Sequence, residues 1–149
     1  MNWHLFNDSI KNSKGEVICF LHNSVTPNVA QFIKNTPYVF RVALDFMDVY
    51  KSGRKMTKEL YSELQNVIRI EPNCLCKWEV DMEGNVVDEN NRPVCFVTNK
   101  SSHDNLQIKF LPELYEAIKE NMPSFETNDS KQKPLYDSIQ LIINRFDSY

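Results

Sequence analysis

The feature that most limits the fold of this chain is a spacing. Ile33-Lys34-Asn35-Thr36-Pro37 returns as Ile108-Lys109-Phe110-Leu111-Pro112, 75 positions later. The only two tryptophans, Trp3 and Trp78, keep the same interval, and the two Cys-Phe dipeptides, at Cys19 and Cys95, keep it with one extra residue. The stretch LYSELQNVI from Leu60 likewise lies over LYDSIQLII from Leu135. Rare residues that agree in register are the mark of an internal duplication, so the sequence predicts two repeats, 1–75 and 76–149, forming one compact unit. Each half is small for an independent core, so the pair resembles a homodimer fused into one chain.

Each half can then be read against the other. WHLFN and WEVDM alternate as strands, SIKN and NVVD follow, and after the polar turns SKG and ENN come the apolar runs EVICFLH and RPVCFVT. This predicts a meander of two or three antiparallel strands per half. Helical spacing follows in both, at Val39, Val42, Ala43 and Phe46 and at Leu114, Ala117 and Ile118. Proline inside a helix loses a hydrogen bond and clashes with the preceding turn. Pro37 and Pro112 are therefore both expected in the first turn of a new helix, after a short lead-in helix. A further helix closes each half, over 57 to about 70 and 134 to about 146. The fold class expected is α+β: a tandem ββ(β)αα unit, with helices packed on an antiparallel sheet and a pseudo-twofold between the halves.

Composition limits the function classes. Seventeen basic against twenty acidic residues give a formal charge of -3, without the basic excess of a nucleic-acid footprint, so direct nucleic-acid binding is not expected. No run approaches the roughly 18 apolar residues of a membrane span, and MNWHLFNDS has neither a basic nor an apolar leader region, which points to the cytoplasm and away from membranes. The four cysteines are read as reduced thiols.

Catalytic constellations are weak. Ser101, Ser102, His103 and Asp104 are neighbours at a strand-to-helix junction, where helix capping explains them better than a triad, whose members converge from separated positions. Cys74 and Cys76 form C-x-C, but no second ligand pair accompanies them at metal spacing, and no metal or cofactor is expected. Cys19 and Cys95 read as small buried hydrophobes. Glu113, Glu116 and Glu120 share a helical face and map onto Tyr38, Arg41 and Asp45, which argues for a solvated face over a duplicated acidic site. Asp81, Glu83, Asp88 and Glu89 read as charged turns in water.

The strand parity is the strongest functional signal. In EVICFLH one parity carries Val17, Cys19 and Leu21 and the other Ile18, Phe20 and His22; in the second half Cys95 and Val97 oppose Val94, Phe96 and Thr98. Either helices cover both faces of the sheet, or the face with Phe20 and Phe96 is an interaction surface that His4 and Phe6 extend.

Ile33, Pro37 and Val42, and above all NLQIKFLPELYEAI from Asn105, resemble the N-A-x-L-I-A-A-A-P-E-L-L-E-A-L helix that recurs in small accessory proteins of bacteriophages and prophages, which also carry an upstream hairpin like that around Val86 to Val97. The likeness covers about thirty to forty residues of each half and is stronger in the second. It implies a phage or mobile-element origin and supplies no catalytic residues. The function expected is thus a non-enzymatic interaction protein that binds and inhibits a host defence protein complex, as anti-CRISPR proteins do, using Phe20, Phe96, His4, Phe6 and His22. The alternative is a small-ligand sponge at the repeat interface that sequesters a nucleotide signal, with Trp3 and Trp78 stacking on the base and Arg41, Arg54 and Arg92 holding phosphate. A homo-oligomer is compatible with either.

Overall fold

The polar turns at residues 7–8, 12–16, 82–84 and 88–92 divide the apolar runs into short strands. In the computed structural model, which describes residues 2–70, 77–99, 102–123, 125 and 132–148, these are β1 (His4–Phe6), β2 (Ser9–Lys11), β3 (Val17–Leu21), β4 (Glu79–Val80), β5 (Asn85–Val87) and β6 (Pro93–Val97). They form one six-stranded antiparallel sheet in the order β1-β2-β3-β6-β5-β4. The helices are α1 (Pro27–Lys34), α2 (Thr36–Lys51), α3 (Lys58–Arg69), α4 (Gln107–Glu120) and α5 (Gln132–Asp147). The fold is α+β, and among the described residues no helix is long and apolar enough to cross a membrane.

Local chemistry sets the helix starts. The Thr26 and Thr57 hydroxyls accept from the backbone N–H of Val29 and Leu60, at 3.3 and 3.1 Å, and so cap α1 and α3. Pro37 is the second residue of α2, in the first turn. The carbonyl it leaves without an N–H is that of Ile33, four residues back. The Thr36 hydroxyl donates to that carbonyl at 2.6 Å, so the junction is broken without an orphaned acceptor.

Pro112 departs from the expectation. It lies inside α4, with no separate lead-in helix before it. The chain enters α4 through tight i→i−3 bonds, Gln107 N–H to Asp104 O, Ile108 to Asn105 and Lys109 to Leu106, and winds straight through. Ser102 to Asn105 form this entry turn. They do not cap the helix, whose start has no side-chain cap, because the turn continues into α4 without the extended residue that capping requires.

The helices cover one face only. Ile10, Cys19, Val86, Cys95 and Val97 are buried in a single hydrophobic cluster with Phe32, Val39, Phe46, Leu64, Leu111, Leu114, Ile118, Leu135 and Ile139. Phe32 sits at its centre, edge-on to Trp78 at 6.0 Å and to Tyr115 at 5.3 Å. The cluster draws on both halves of the chain.

Strict alternation fails at two places. Lys11 pairs with Val17 and Ile10 with Cys19, so Ile18 is an extra residue in β3; Val87 pairs with Pro93 and Val86 with Cys95, so Val94 is extra in β6. These are β-bulges, which put two consecutive side chains on similar sides. Ile18 and Val94 are accordingly buried in the core cluster beside Cys19 and Cys95, not on the face of Phe20 and Phe96 where parity puts them. This accounts for much of the apolar content of both parities.

Candidate functional site

With Ile18 and Val94 turned inward, the outer face can be followed along one cross-strand row. Phe6 pairs with Ser9, Ser9 with Phe20, Phe20 with Phe96, and Phe96 with Asn85. Phe6 is 63% exposed, Phe20 45% and Phe96 40%. Large apolar side chains that share a row on an uncovered sheet form a patch, whereas Leu44 and Leu141, exposed on α2 and α5, stand singly and need no explanation. Phe20 and Phe96 meet where the two three-stranded halves of the sheet join.

The surroundings of the row are fixed by short-range chemistry. The Lys11 ammonium lies over the Phe6 ring, 5.1 Å from its centre, a cation–π contact. At the other end Asp81 accepts from the backbone N–H of Glu83 and of Asn85, each at 2.9 Å. These bonds, the Asn85 backbone N–H foremost, hold its carboxyl below the usual carboxylate range. Gly84 adopts φ +99°, and a Cβ there would stand 2.6 Å from the Val97 carbonyl oxygen, beside the Phe96 ring. This glycine lets the β4–β5 turn close against β6. His4 and His22 are exposed, His4 in register with Lys11, and the His22 Nδ1 lies 2.7 Å from the Ser24 hydroxyl. Of the five residues singled out for protein binding, four lie on β1, β3 and β6 and His22 directly follows β3, with the three phenylalanines in one row.

The residues named for nucleotide binding are dispersed. Trp3 and Arg41 line a cavity of about 560 Å³ between the β2–β3 turn, α2, Asn99 and residues 102–107, shared with Tyr38, Asn105 and Gln107. Arg41 reaches Asp45 at 3.2 Å and Glu63 at 3.3 Å and lies over the Tyr38 ring, so its charge is largely balanced. Trp78 is 2% exposed in the core and presents no stacking face. Arg54 bonds Ser52 beyond the end of α2, and Arg92 lies in the β5–β6 turn.

A second cleft, of about 340 Å³, is lined by Pro112, Glu113, Glu116, Glu120, Lys77 and Glu89. Its lining matches that of the first at the 75-residue interval, with Pro112 for Pro37, Glu113 for Tyr38, Glu116 for Arg41 and Glu120 for Asp45. The expected solvated face is therefore partly a cleft wall. Glu113 pairs with Arg145, and burial, followed by the adjacent Glu120, pushes the Glu116 carboxyl up. Asp88 is not a turn in water either: it is buried and accepts from the N–H of Asn90 and Arg92.

The His103 ring packs tilted against that of Phe146, 4.0 Å between centres, and reaches Asp147 at 3.7 Å, and Ser101 lies outside the described residues. Cys19 and Cys95 are free, buried thiols, and a hydrogen bond with the Cys19 thiol, followed by burial, pushes the Cys95 thiol well up, the opposite of what a nucleophile needs. Cys74 and Cys76 lie outside the described residues; among the described ones no three His, Cys, Asp or Glu side chains gather as a metal site. The sequence points to Trp3 and Arg41 for a small-ligand pocket but joins them to Trp78, Arg54 and Arg92; it does not show that the β2–β3 turn and α2 form the walls of the first cleft, because that depends on how the helices pack on the sheet. No family model, curated protein or solved structure matches the chain.

Proposed function

We propose that the protein acts by binding another protein through the outer face of its sheet, without catalytic chemistry of its own. The observation that carries this reading is the row Phe6, Phe20 and Phe96, three half-exposed aromatics on a face that the helices leave open. Interfaces draw most of their energy from a few such residues. The resemblance to phage accessory proteins makes the bound protein a host defence complex, which the chain blocks by covering it. A photo-reactive amino acid at position 20 or 96 tests this in a bacterial lysate. One dominant cross-linked protein is expected from these positions and none from position 140 on α5; equal labelling from both sides would overturn the reading.

The same reading treats the chain as a tandem duplication with a pseudo-twofold normal to the sheet, between Phe20 and Phe96. Three observations support it. The strand order reads alike from both edges, the β3–β6 register pairs Cys19 with Val97 and Leu21 with Cys95 around the Phe20–Phe96 pair, and the bulges at Ile18 and Val94 keep the interval of the two Cys-Phe dipeptides, one residue longer than 75.

A second reading rests on the first cleft. Its volume is that of small-molecule sites, and it brings Trp3 and Arg41 together. In this reading the protein sequesters a nucleotide there. Titration with AMP, followed by amide chemical shifts, should move the signals of residues 12–16 and 38–45; shifts elsewhere, or none at millimolar ligand, would end it.

A further inference from the structure

The outer face is divided in charge as well as apolar at its centre. Along its strands and turns the β1–β3 half is balanced, with His4, Lys11, Lys14 and His22 against Asp8 and Glu16, whereas the β4–β6 half is acidic, with Glu79, Asp81, Glu83, Asp88 and Glu89 against Lys77 and Arg92. Glu79 also reaches Lys109 of α4 around the sheet edge, at 3.7 Å, so Asp81 and Glu83 are the acids of the β4–β5 hairpin that face outward without that partner.

We propose that the occupant of this face in the isolated protein is a second copy of the chain, packed sheet to sheet so that the β1–β3 half of each copy covers the β4–β6 half of the other. The proposal rests on the reading of the outer face as a docking surface and names what covers it. Two face-to-face twofolds bring the Phe20–Phe96 pairs into contact. An axis running across the strands sets each half on its own equivalent and drives Glu79, Asp81 and Glu83 of one copy against the same three acids of the other. An axis running along the strands sets Lys11 and His4 over the acidic end and relieves that repulsion, and like-charge juxtaposition is what suppresses a wrong register at an interface. The charge division therefore selects one of the two geometries, and it is self-complementary, as an isologous interface must be.

The size of the face sets the strength. Six strands about 4.8 Å apart, two to five residues long, give a flat footprint of roughly 350 Å², below the roughly 800 Å² per partner of a standard interface. Self-association is thus weak and reversible. It masks the phenylalanines at high concentration and releases them to a target that binds more tightly.

Sedimentation equilibrium of the full chain, with circular dichroism on every variant, tests this. A monomer–dimer equilibrium is expected, weakened at least about tenfold by Lys11→Glu and restored when Glu83→Lys is placed in the same chain, as coupled charge pairs behave. Phe20→Ser with Phe96→Ser should abolish the dimer. A dimer insensitive to both kinds of variant uses another surface and overturns the inference. A chain that stays monomeric at several hundred micromolar also overturns it; if the phenylalanine variants are then as stable as the parent, the docking face stands and only its occupant was wrong. If they lose most of their stability as monomers, the face belongs to the fold and both readings fall.

Discussion

At the scale of single residues, geometry that the sequence hides decides the outcome. Only three glycines are present, and nothing in the sequence marks Gly84 as the one packed against backbone. Its φ of +99° and the 2.6 Å approach of a Cβ to the Val97 carbonyl leave alanine no relaxed position. Gly84→Ala should cost about 1–3 kcal/mol in denaturant unfolding, whereas Gly15→Ala meets no neighbour within 4 Å and should lose less. Glu116 gives a test in pH. Burial and Glu120 raise its carboxyl above the usual range, so the native state takes up its proton more readily than the unfolded chain. Its charge therefore weakens the fold above that raised value, and the penalty fades as pH falls through it towards the unfolded value. Glu116→Gln should raise Tm at pH 7, with the gain disappearing on acidification below the ordinary carboxylate range. An equal gain at pH 3 and pH 7 would show that the carboxyl's charge is not the cause.

At the scale of elements, the strands and most helices were legible because hydrophobic period and turn residues coincide. The SKG and ENN turns, the β3 and β6 runs and the α3 start at Thr57 all carry local signals. What was not legible depends on contacts across the chain. Ile18 and Val94 look like alternating strand residues, and only the register with β2 and β5 reveals the bulges. Pro37 and Pro112 occupy matching sequence positions, yet the first has Thr36 before it and the second Leu111, with no hydroxyl. That difference makes a prediction. Thr36→Val strips the partner from the buried Ile33 carbonyl and should cost about 1–3 kcal/mol, while Pro37→Ala should change stability by about 1 kcal/mol or less, since the new N–H can take over that carbonyl. In the Pro37→Ala background, Thr36→Val should cost clearly less than alone, a coupling that a double-mutant cycle reads directly. Simple additivity would show that the Thr36 hydroxyl does not serve the proline junction. The candidate site was legible in its residues but not in its setting: Phe6, Phe20 and Phe96 stand out by parity, while the uncovered face is a property of where five helices pack.

At the scale of the whole molecule, stability and binding should separate. Phe32 lies at the centre of the core, and Phe32→Ala should cost about 3–5 kcal/mol. Phe20→Ser and Phe96→Ser, at nearly half exposure, should each cost about 1 kcal/mol or less, measured by urea unfolding at a concentration where the chain is monomeric. The sheet also has a history in time. Its middle seam joins β3 to β6, whose partners stand more than 70 positions apart in the chain. Contacts of that separation are slow to form, because the loop they close must first be ordered. On the ribosome, β3 is therefore synthesised long before its neighbour and waits with one edge bare. Its apolar residues are then open to any passing strand, and the nascent chain is most vulnerable to aggregation between the emergence of Leu21 and that of Val97. Stalled chains that end just short of β6 should be readily cleaved by protease in β3, and those long enough to expose β6 fully should resist.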